Sequence, residues 1–206
     1  MTSEDVPARA VKLLHLSLLL ESKGYPAFLD AAEILANRQD LGPVEIILCG
    51  PAVLSSLRES YASEAEKAQA IKARVAEIDA INPKLSVRWI PGARGEAKQA
   101  LFDEAHLFIM PTRYPVEVQP IVLIEAFASG CPVIASDQGE IPSMLTDTTG
   151  VLLEDVSPAP LAAQMRDLII DHDRRLSMAL ASTELAQREF SKSRYGENWE
   201  NLLRSI

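Results

Sequence analysis

The sequence predicts an α/β fold: a doubly wound, parallel, six-stranded Rossmann-like sheet with helices on both faces. Short apolar runs alternate along the chain with longer helical patterns, which favours strands joined by right-handed helical crossovers. The short runs are continuously apolar instead of alternating with polar residues, as is typical of strands buried on both faces of a parallel sheet. These two observations together predict the architecture.

The predicted elements follow from these patterns in chain order. The strands are residues 11–17, 45–50, 86–92, 106–111, 132–136 and 150–153. The helices are residues 26–37, 52–81, 95–103, 120–129, 158–171, 173–189 and 192–205. The helix 52–81 is predicted because its apolar residues recur at steps of three or four, with polar residues such as Glu64, Lys67 and Lys72 on the outer face.

Length and composition bound the class of protein. The 206 residues carry no internal repeat or flexible linker, so we expect a single domain over residues 1–206. A net charge of −9 disfavours non-specific binding of nucleic acid. The apolar run "VKLLHLSLLL" is too short to span a membrane and no secretion signal is visible, so we interpret it as a strand. Cys49 and Cys131 lie in apolar surroundings without ligand-like spacing, which favours core thiols in a reducing compartment, the cytoplasm.

The residues that carry chemistry are expected in the loops that follow the strands, because ligands of such sheets bind beyond the strands' carboxyl ends. A helix is predicted to open at Pro120, and the free amides of Ile121, Val122 and Leu123 would form a phosphate site with the helix dipole. Gly130 is predicted to end this helix as its C′ residue, with Pro132 stopping it.

Two glutamates and one lysine stand out in these loops. Glu125 lies within "IVLIEAFA", and glutamate is rarely buried without a partner. Its side chain leans toward the helix N-terminus, from where it can accept hydrogen bonds from a ribose diol, while Glu117 can face a sugar ring. Alternatively, Glu125 satisfies a loop amide and Glu117 is a solvated charge. Lys23 either neutralises a diphosphate or is an ordinary surface lysine.

Together these stretches resemble the C-terminal, donor-binding domain of GT-B retaining glycosyltransferases, the group called family 4 or "group 1". "LLHLSLLLESKGYPAFLDAAEIL" is similar to that family's first strand, Lys-Gly loop and first helix. "AHLFIMPTRYPVEVQPIVLIEAFASGCPVIASDQGEIPSML" is similar to its signature region, including the Glu-x7-Glu motif formed by Glu117 and Glu125. The stretch "TGVLLEDVSPAPLAAQMRDLIID" and the tail "FSKSRYGENWENLL" extend the resemblance over nearly the whole chain.

The resemblance implies a role for each matched position. Glu117 would be the catalytic residue, in contact with the donor sugar near the reacting carbon, and Glu125 would bind the ribose hydroxyls. Lys23 would hold the diphosphate. The other substrate-binding residues would be Thr112, Gln119, Ile121 and Val122 around the same pocket, with Ile90 and Gly92 against the nucleobase.

The reaction implied is transfer of a sugar from a nucleoside diphosphate to an acceptor hydroxyl, with retention, as in polysaccharide biosynthesis. No cofactor and no metal are expected, because positive side chains and helix amides would stabilise the leaving diphosphate. The only Asp-x-Asp, "DHD" at 171–173, falls between C-terminal helices and is rejected as a metal site. The histidines His15 and His106 are expected to be packed or capped, and His172 to face solvent.

The sequence departs from the family pattern at three places. Leu18 stands where many members carry an arginine that shares the diphosphate charge. Val118 stands where a glycine often follows the first motif glutamate, and a β-branched residue is stiffer than glycine. The loop after the fifth strand, at 139–143, also lacks the usual Gly-Gly-x-Pro-Glu pattern. Arg94 and Arg113 are candidates to replace the missing charge.

The expected function is therefore that of a donor domain, with the N-terminal acceptor domain of GT-B enzymes absent. Its partners would be a nucleotide sugar and a separate domain or subunit with the acceptor site, through which peripheral membrane contact could occur. Alone, the chain is expected to bind nucleotide weakly and to transfer little or no sugar. The alternatives are a non-catalytic nucleotide-sugar-binding module, a subunit of a split transferase and a sugar-nucleotide epimerase. A receiver-type signalling domain is disfavoured because no acidic cluster follows the first strand. The sugar, the base, the acceptor and the oligomeric state stay open.

Overall fold

The computed structural model describes residues 10–57 and 59–204. Within this part of the chain, six strands form one parallel sheet in the order β3-β2-β1-β4-β5-β6. The strands are β1 (Val11–Leu16), β2 (Val44–Cys49), β3 (Leu85–Ile90), β4 (Leu107–Met110), β5 (Val133–Ser136) and β6 (Gly150–Leu153). This confirms the predicted fold class.

Helices cover both faces of the sheet. They are α1 (Tyr25–Ala36), α2 (Glu64–Asp79), α3 (Gly95–Glu104), α4 (Ile121–Ala128), α5 (Ile141–Met144), α6 (Pro158–Ile170), α7 (His172–Glu189) and α8 (Lys192–Arg204). A short 3-10 turn, Glu21–Lys23, precedes α1. Across the described residues, no helix combines the length and the apolar character that a membrane crossing requires.

Successive residues of the central strands belong to different cores. Leu13 packs with one hydrophobic cluster, which includes residues of α1, α2 and α6, and Leu14 packs with the other, which includes residues of α3 and α4. Both leucines are completely buried. Since neighbouring strand residues point to opposite faces, a strand covered on both sides must be apolar throughout, which explains the continuous runs in the sequence.

The predicted helix over residues 52–81 is wrong in its first half. The described residues up to Ser63 form loops and bends, and α2 begins only at Glu64. Ser63 caps the helix: its Oγ accepts a hydrogen bond from the Glu66 amide at 3.2 Å, and Glu66 Oε2 accepts one from the Ala62 amide at 2.9 Å. This is close to a capping box, a helix start signal that the apolar spacing obscured.

Lys67 also contradicts its predicted place on the outer face, because its side chain is fully buried. Lys67 Nζ lies 2.6 Å from Glu59 Oε2 and donates to the Val53 carbonyl oxygen at 2.9 Å. A buried charge must be paired, and this one binds two parts of the preceding loop. The pair therefore holds that loop against α2.

Most other boundaries differ by one or two residues. Pro120 has extended ψ and is the N-cap of α4, so it precedes the helix instead of opening it. Gly130, with φ of 64°, lies just after α4 in the left-handed conformation predicted for its C′ residue. The short helix α5 was not predicted. Cys49 and Cys131 are both buried free thiols, and burial raises the pKa of each above the ordinary value.

The histidines lie where the sequence analysis placed them. His106 Nδ1 accepts a hydrogen bond from the Lys12 amide at 3.1 Å, and His172 is exposed. His15 is buried, its ring stacks on Phe28 at 5.3 Å, and its Nδ1 donates to the Ile109 carbonyl oxygen at 2.9 Å. His15 is therefore a packed core residue.

Burial of His15 gives a prediction for the pH dependence of stability. Burial lowers the pKa of His15 from 6.5 to about 4, so between these pH values only the unfolded chain gains a proton. We expect the free energy of unfolding to fall by up to roughly 3 kcal/mol as the pH drops through this window. Denaturant titrations from pH 4 to pH 8 measure this, and His15→Gln should remove that part of the slope. An equal slope in the variant would contradict the assignment.

Candidate functional site

A cavity of about 990 Å³ opens at the carboxyl edge of the sheet. It lies where the strand order reverses, between β1 and β4, which is the topological switch point at which doubly wound folds bind ligands. Its lining comes from the loops after β1, β2 and β3, from α3, from the end of β4 and the loop after it, and from the start of α4. The sheet topology therefore places the loops singled out in the sequence around one space.

The structure brings five of the predicted site residues together in the cavity wall: Lys23, Gly92, Glu117, Ile121 and Val122. The other four lie outside the lining. Thr112 is buried behind Glu117, and Ile90 packs partly buried against the core. Gln119 is exposed, and Glu125 lies on α4 behind a lysine of α3.

Lys23 and Glu117 form an ion pair within the cavity wall. Lys23 Nζ lies 2.6 Å from Glu117 Oε2, and the two side chains are only 17% and 7% exposed. Thr112 Oγ1 donates to the same carboxylate oxygen at 3.1 Å, and Lys23 Nζ lies 4.2 Å from the centre of the Tyr114 ring. These contacts exclude a solvated charge for Glu117 and an ordinary surface lysine for Lys23.

Two hydrogen bonds to backbone carbonyl oxygens fix the segment that carries Glu117. The Ser136 hydroxyl at the end of β5 donates to the Thr112 carbonyl oxygen at 2.5 Å. The Arg113 amide donates to the Ser22 carbonyl oxygen at 2.7 Å, in the turn that carries Lys23. The loop after β4 is therefore tied to both neighbouring strand ends, and this fixes the distance between Lys23 and Glu117.

Glu125 has a partner that the sequence analysis missed. Lys98 Nζ, from α3, lies 2.5 Å from Glu125 Oε1, with the two side chains 28% and 33% exposed. Lys98 itself lines the cavity. No local signal identifies this lysine, because its pairing depends on how α3 packs against α4.

The arginine candidates for the charge absent at Leu18 lie in different places. Leu18 and Arg94 both line the cavity, and Arg94 has no ion pair with any described residue. Arg113 is exposed and approaches Asp155 only at 4.0 Å. Of the two arginines, therefore, only Arg94 is placed to contact a ligand in the cavity.

The start of α4 offers unpaired amides to the cavity. Pro120 makes no side-chain cap, and the first hydrogen bond of the helix runs from the Leu123 amide to the Pro120 carbonyl oxygen at 3.0 Å. The prediction of a free Leu123 amide is therefore wrong, while Ile121 and Val122, both in the cavity wall, precede that bond. Helix N-termini carry partial positive charge, so these amides complement an anion beside Lys23.

The rejected motif at 171–173 has a structural role. Asp171 Oδ1 accepts a hydrogen bond from the Arg174 amide at 2.9 Å and so caps α7. Across residues 10–57 and 59–204, no three His, Cys, Asp or Glu side chains are grouped so that they could hold a metal ion.

Gly139 supports the backbone of Glu117 and gives a second prediction. Its φ is 58°, and an added Cβ would lie 1.8 Å from the Glu117 carbonyl oxygen. Gly95 has a nearly equal φ of 55° with open space around a Cβ, so it is a matched control. We expect Gly139→Ala to lower the free energy of unfolding by about 2–4 kcal/mol and Gly95→Ala by about 1 kcal/mol, as strain without a clash implies.

Chemical denaturation of the two glycine variants measures this difference. Equal losses would show that the contact between Gly139 and Glu117 is not tight.

Comparison with known proteins identifies the family to which this chain is similar. The family model described as "Glycosyl transferases group 1" matches residues 3–184. A GDP-mannose-dependent monoacylated alpha-(1-6)-phosphatidylinositol monomannoside mannosyltransferase of Corynebacterium glutamicum is 35% identical over 106 residues, covering 49% of this chain and 28% of that protein. A D-inositol 3-phosphate glycosyltransferase of Corynebacterium kroppenstedtii is 27% identical, covering 89% of this chain and 38% of that protein. The matched regions thus cover well under half the length of these relatives.

Solved structures share the fold. The crystal structure of Anabaena Alr3699/HepE in complex with UDP-glucose superposes with a TM-score of 0.72 at 18% identity, over 97% of this chain and 50% of that one. The C-terminal domain of a glycosyl transferase group 1 family protein (LpcC) from Francisella tularensis superposes with a TM-score of 0.64 at 20% identity, over 89% and 86% of the two chains. The fold is thus that of a GT-B glycosyltransferase domain, and with the family match over residues 3–184 the chain belongs to the glycosyl transferases group 1 family.

Proposed function

We propose that this chain is the donor-binding half of a retaining glycosyltransferase. It would bind a nucleoside diphosphate sugar in the switch-point cavity, and the sugar would pass to an acceptor hydroxyl with retention. The observation that carries the proposal is the meeting of Lys23, Glu117 and the free amides of α4 in one cavity of about 990 Å³. That volume lies in the range of small-molecule sites.

The cavity suggests how the donor would lie. The diphosphate would contact the Lys23 ammonium group and the amides of Ile121 and Val122, all of which lie in the cavity wall. The nucleoside would extend toward Gly92 and the loop after β3, with its ribose near Glu125. As the bond to the sugar breaks, negative charge grows on the leaving diphosphate, and fixed positive groups stabilise that charge. No metal is needed for this step.

Glu117 would act at the sugar end of the donor. Its carboxylate lies beside Lys23. With the phosphates at Lys23, it would face the sugar carbon that is bonded to the diphosphate. Carboxylates accept hydrogen bonds from sugar hydroxyls, and charge-assisted bonds of this kind are the stronger ones. Glu117 would thus orient the donor sugar.

The acceptor would come from outside this chain. The matches cover only 28% and 38% of these relatives, so we propose that an additional domain or subunit completes the active site. The relatives' names mention mannosyl transfer and inositol-containing acceptors, which are candidates here as well. The buried free thiols agree with a reducing, cytoplasmic location, where nucleotide sugars are available.

A second candidate is a binding module without transferase activity. Leu18 in the cavity wall favours it, because an apolar side chain stands there instead of a phosphate-binding cation. Supplying a separate acceptor domain or subunit distinguishes between the two candidates. Turnover supports the transferase, and nucleotide binding without turnover supports the module.

Calorimetric titration with UDP, GDP and ADP tests the proposed donor binding. We expect one of them to bind at or below millimolar concentration and Glu125→Ala to weaken it roughly 10–100-fold, which corresponds to the loss of a charge-assisted hydrogen bond. Glu77→Ala, on the exposed face of α2, is the matched control and should change nothing. Failure of all three nucleotides to bind would contradict the proposal.

A further inference from the structure

Lys98 stands between the cavity and the carboxylate of Glu125. Lys98 lines the cavity and Glu125 does not, while the Nζ and Oε1 atoms of the pair are 2.5 Å apart. Both side chains keep about a third of their surface exposed, so neither is sealed in the core. A ligand that approaches Glu125 from the cavity therefore comes close to Lys98 as well.

The chemistry of this pair matches that of a vicinal diol. An ammonium group only donates hydrogen bonds and an ionised carboxylate only accepts them. Each hydroxyl of a diol does both, so one hydroxyl can donate to Glu125 while the other accepts from Lys98. A ribose without these hydroxyls would leave the two charged groups without new partners.

We propose that Lys98 is a specificity-determining residue that reads the ribose diol of the donor together with Glu125. The inference rests on the proposed nucleotide binding and assigns a ligand contact to a side chain that the Glu-x7-Glu motif does not include. Lys98 would keep its contact with Glu125 Oε1 and donate to a ribose oxygen, while Glu125 Oε2 would accept from the neighbouring hydroxyl.

The alternative role for Lys98 is purely structural. The next residue, Gln99, also links the two helices, because its Nε2 donates to Ser129 Oγ at 3.1 Å. If α3 and α4 need only a polar bridge, loss of either contact should have the same effect. Gln99 does not line the cavity, so Gln99→Ala is a matched control for Lys98→Met.

The experiment compares affinities for the nucleoside diphosphate that binds the unmodified chain and for its 2′,3′-dideoxy analogue. We expect the unmodified chain to prefer the ribose form about 10–100-fold, as charge-assisted hydrogen bonds to both hydroxyls imply. Lys98→Met should reduce this preference about tenfold, Lys98→Arg should restore most of it, and Gln99→Ala should leave it unchanged. Inorganic pyrophosphate should bind Lys98→Met within about threefold of the original affinity, because its contacts lie at Lys23.

The possible outcomes distinguish failure of the proposed nucleotide binding from failure of the proposed role of Lys98. If the unmodified chain binds none of the nucleotides, both the proposed function and this inference are overturned. If it binds them and Lys98→Met keeps the preference for ribose, only the role of Lys98 is overturned. Equal losses of the preference in Lys98→Met and Gln99→Ala would assign Lys98 a structural role and also overturn the inference.

Discussion

Lys23→Met is expected to weaken the binding of nucleoside diphosphates and of pyrophosphate roughly 10–100-fold, which corresponds to about 1.5–3 kcal/mol for a hydrogen bond to a charged group. Methionine keeps the apolar stem and removes the ammonium group. The change also leaves the Glu117 carboxylate, only 7% exposed, without its cation and beside the incoming phosphates. Repulsion between the Glu117 carboxylate and the phosphates therefore adds to the loss of attraction by the Lys23 ammonium group.

Isothermal calorimetry with a nucleoside diphosphate and the matching nucleoside measures this effect. The nucleoside should lose less than about twofold in affinity, since it lacks the phosphates that Lys23 attracts. Lys12→Met is a matched control, because Lys12 also forms ion pairs but lies near the start of β1. An equal loss of affinity for both ligands would remove Lys23 from the phosphate site.

Glu117→Gln is expected to have opposite effects on binding and on transfer. Glu117 Oε2 now holds Lys23 Nζ at 2.6 Å, so a diphosphate must compete with a carboxylate of the protein for the same cation. Glutamine preserves the shape and can still accept the hydrogen bond from Thr112 Oγ1. Pyrophosphate should therefore bind about 3–10-fold more tightly, as removal of one competing charge pair implies. With the acceptor half supplied, transfer should fall about 100-fold or more, as loss of an electrostatic contact to the transition state implies.

A double-mutant cycle tests the competition directly. In the Lys23→Met background, Glu117→Gln should no longer alter affinity through competition for Lys23, and only relief of direct repulsion should remain. The coupling between the two positions, measured with pyrophosphate, should therefore be clearly different from zero. Weaker pyrophosphate binding by Glu117→Gln in the original chain would contradict the competition.

The central features of the site could be predicted because they follow from the sheet. Lys23 and Glu117 are 94 positions apart in the chain, yet each follows a central strand, and β1 and β4 are neighbours in the sheet. Parallel strands deliver their following loops to one edge, so placing the strands was enough to bring these residues together. The continuous apolar runs identified the strands, since both faces are covered.

The features that were missed depend on tertiary contacts. The apolar spacing over residues 52–81 continued the helix pattern by chance across the loop before α2, and the buried pair of Lys67 and Glu59 holds that loop instead. The pairing of Lys98 with Glu125 likewise depends on the approach of α3 to α4. The spacing of apolar residues along the chain indicates local secondary structure. It does not indicate which charged side chains pair in the folded protein.

A crystal structure of this chain with the nucleoside diphosphate that binds it is the most direct test of the proposed donor site. We expect a phosphate oxygen within about 2.7–3.2 Å of the Ile121 or Val122 amide and of Lys23 Nζ, with Lys23 drawn away from Glu117. The ribose should lie beside Lys98 and Glu125. A nucleotide bound elsewhere, for example in the small cavity beside His106 and His172, would contradict the account.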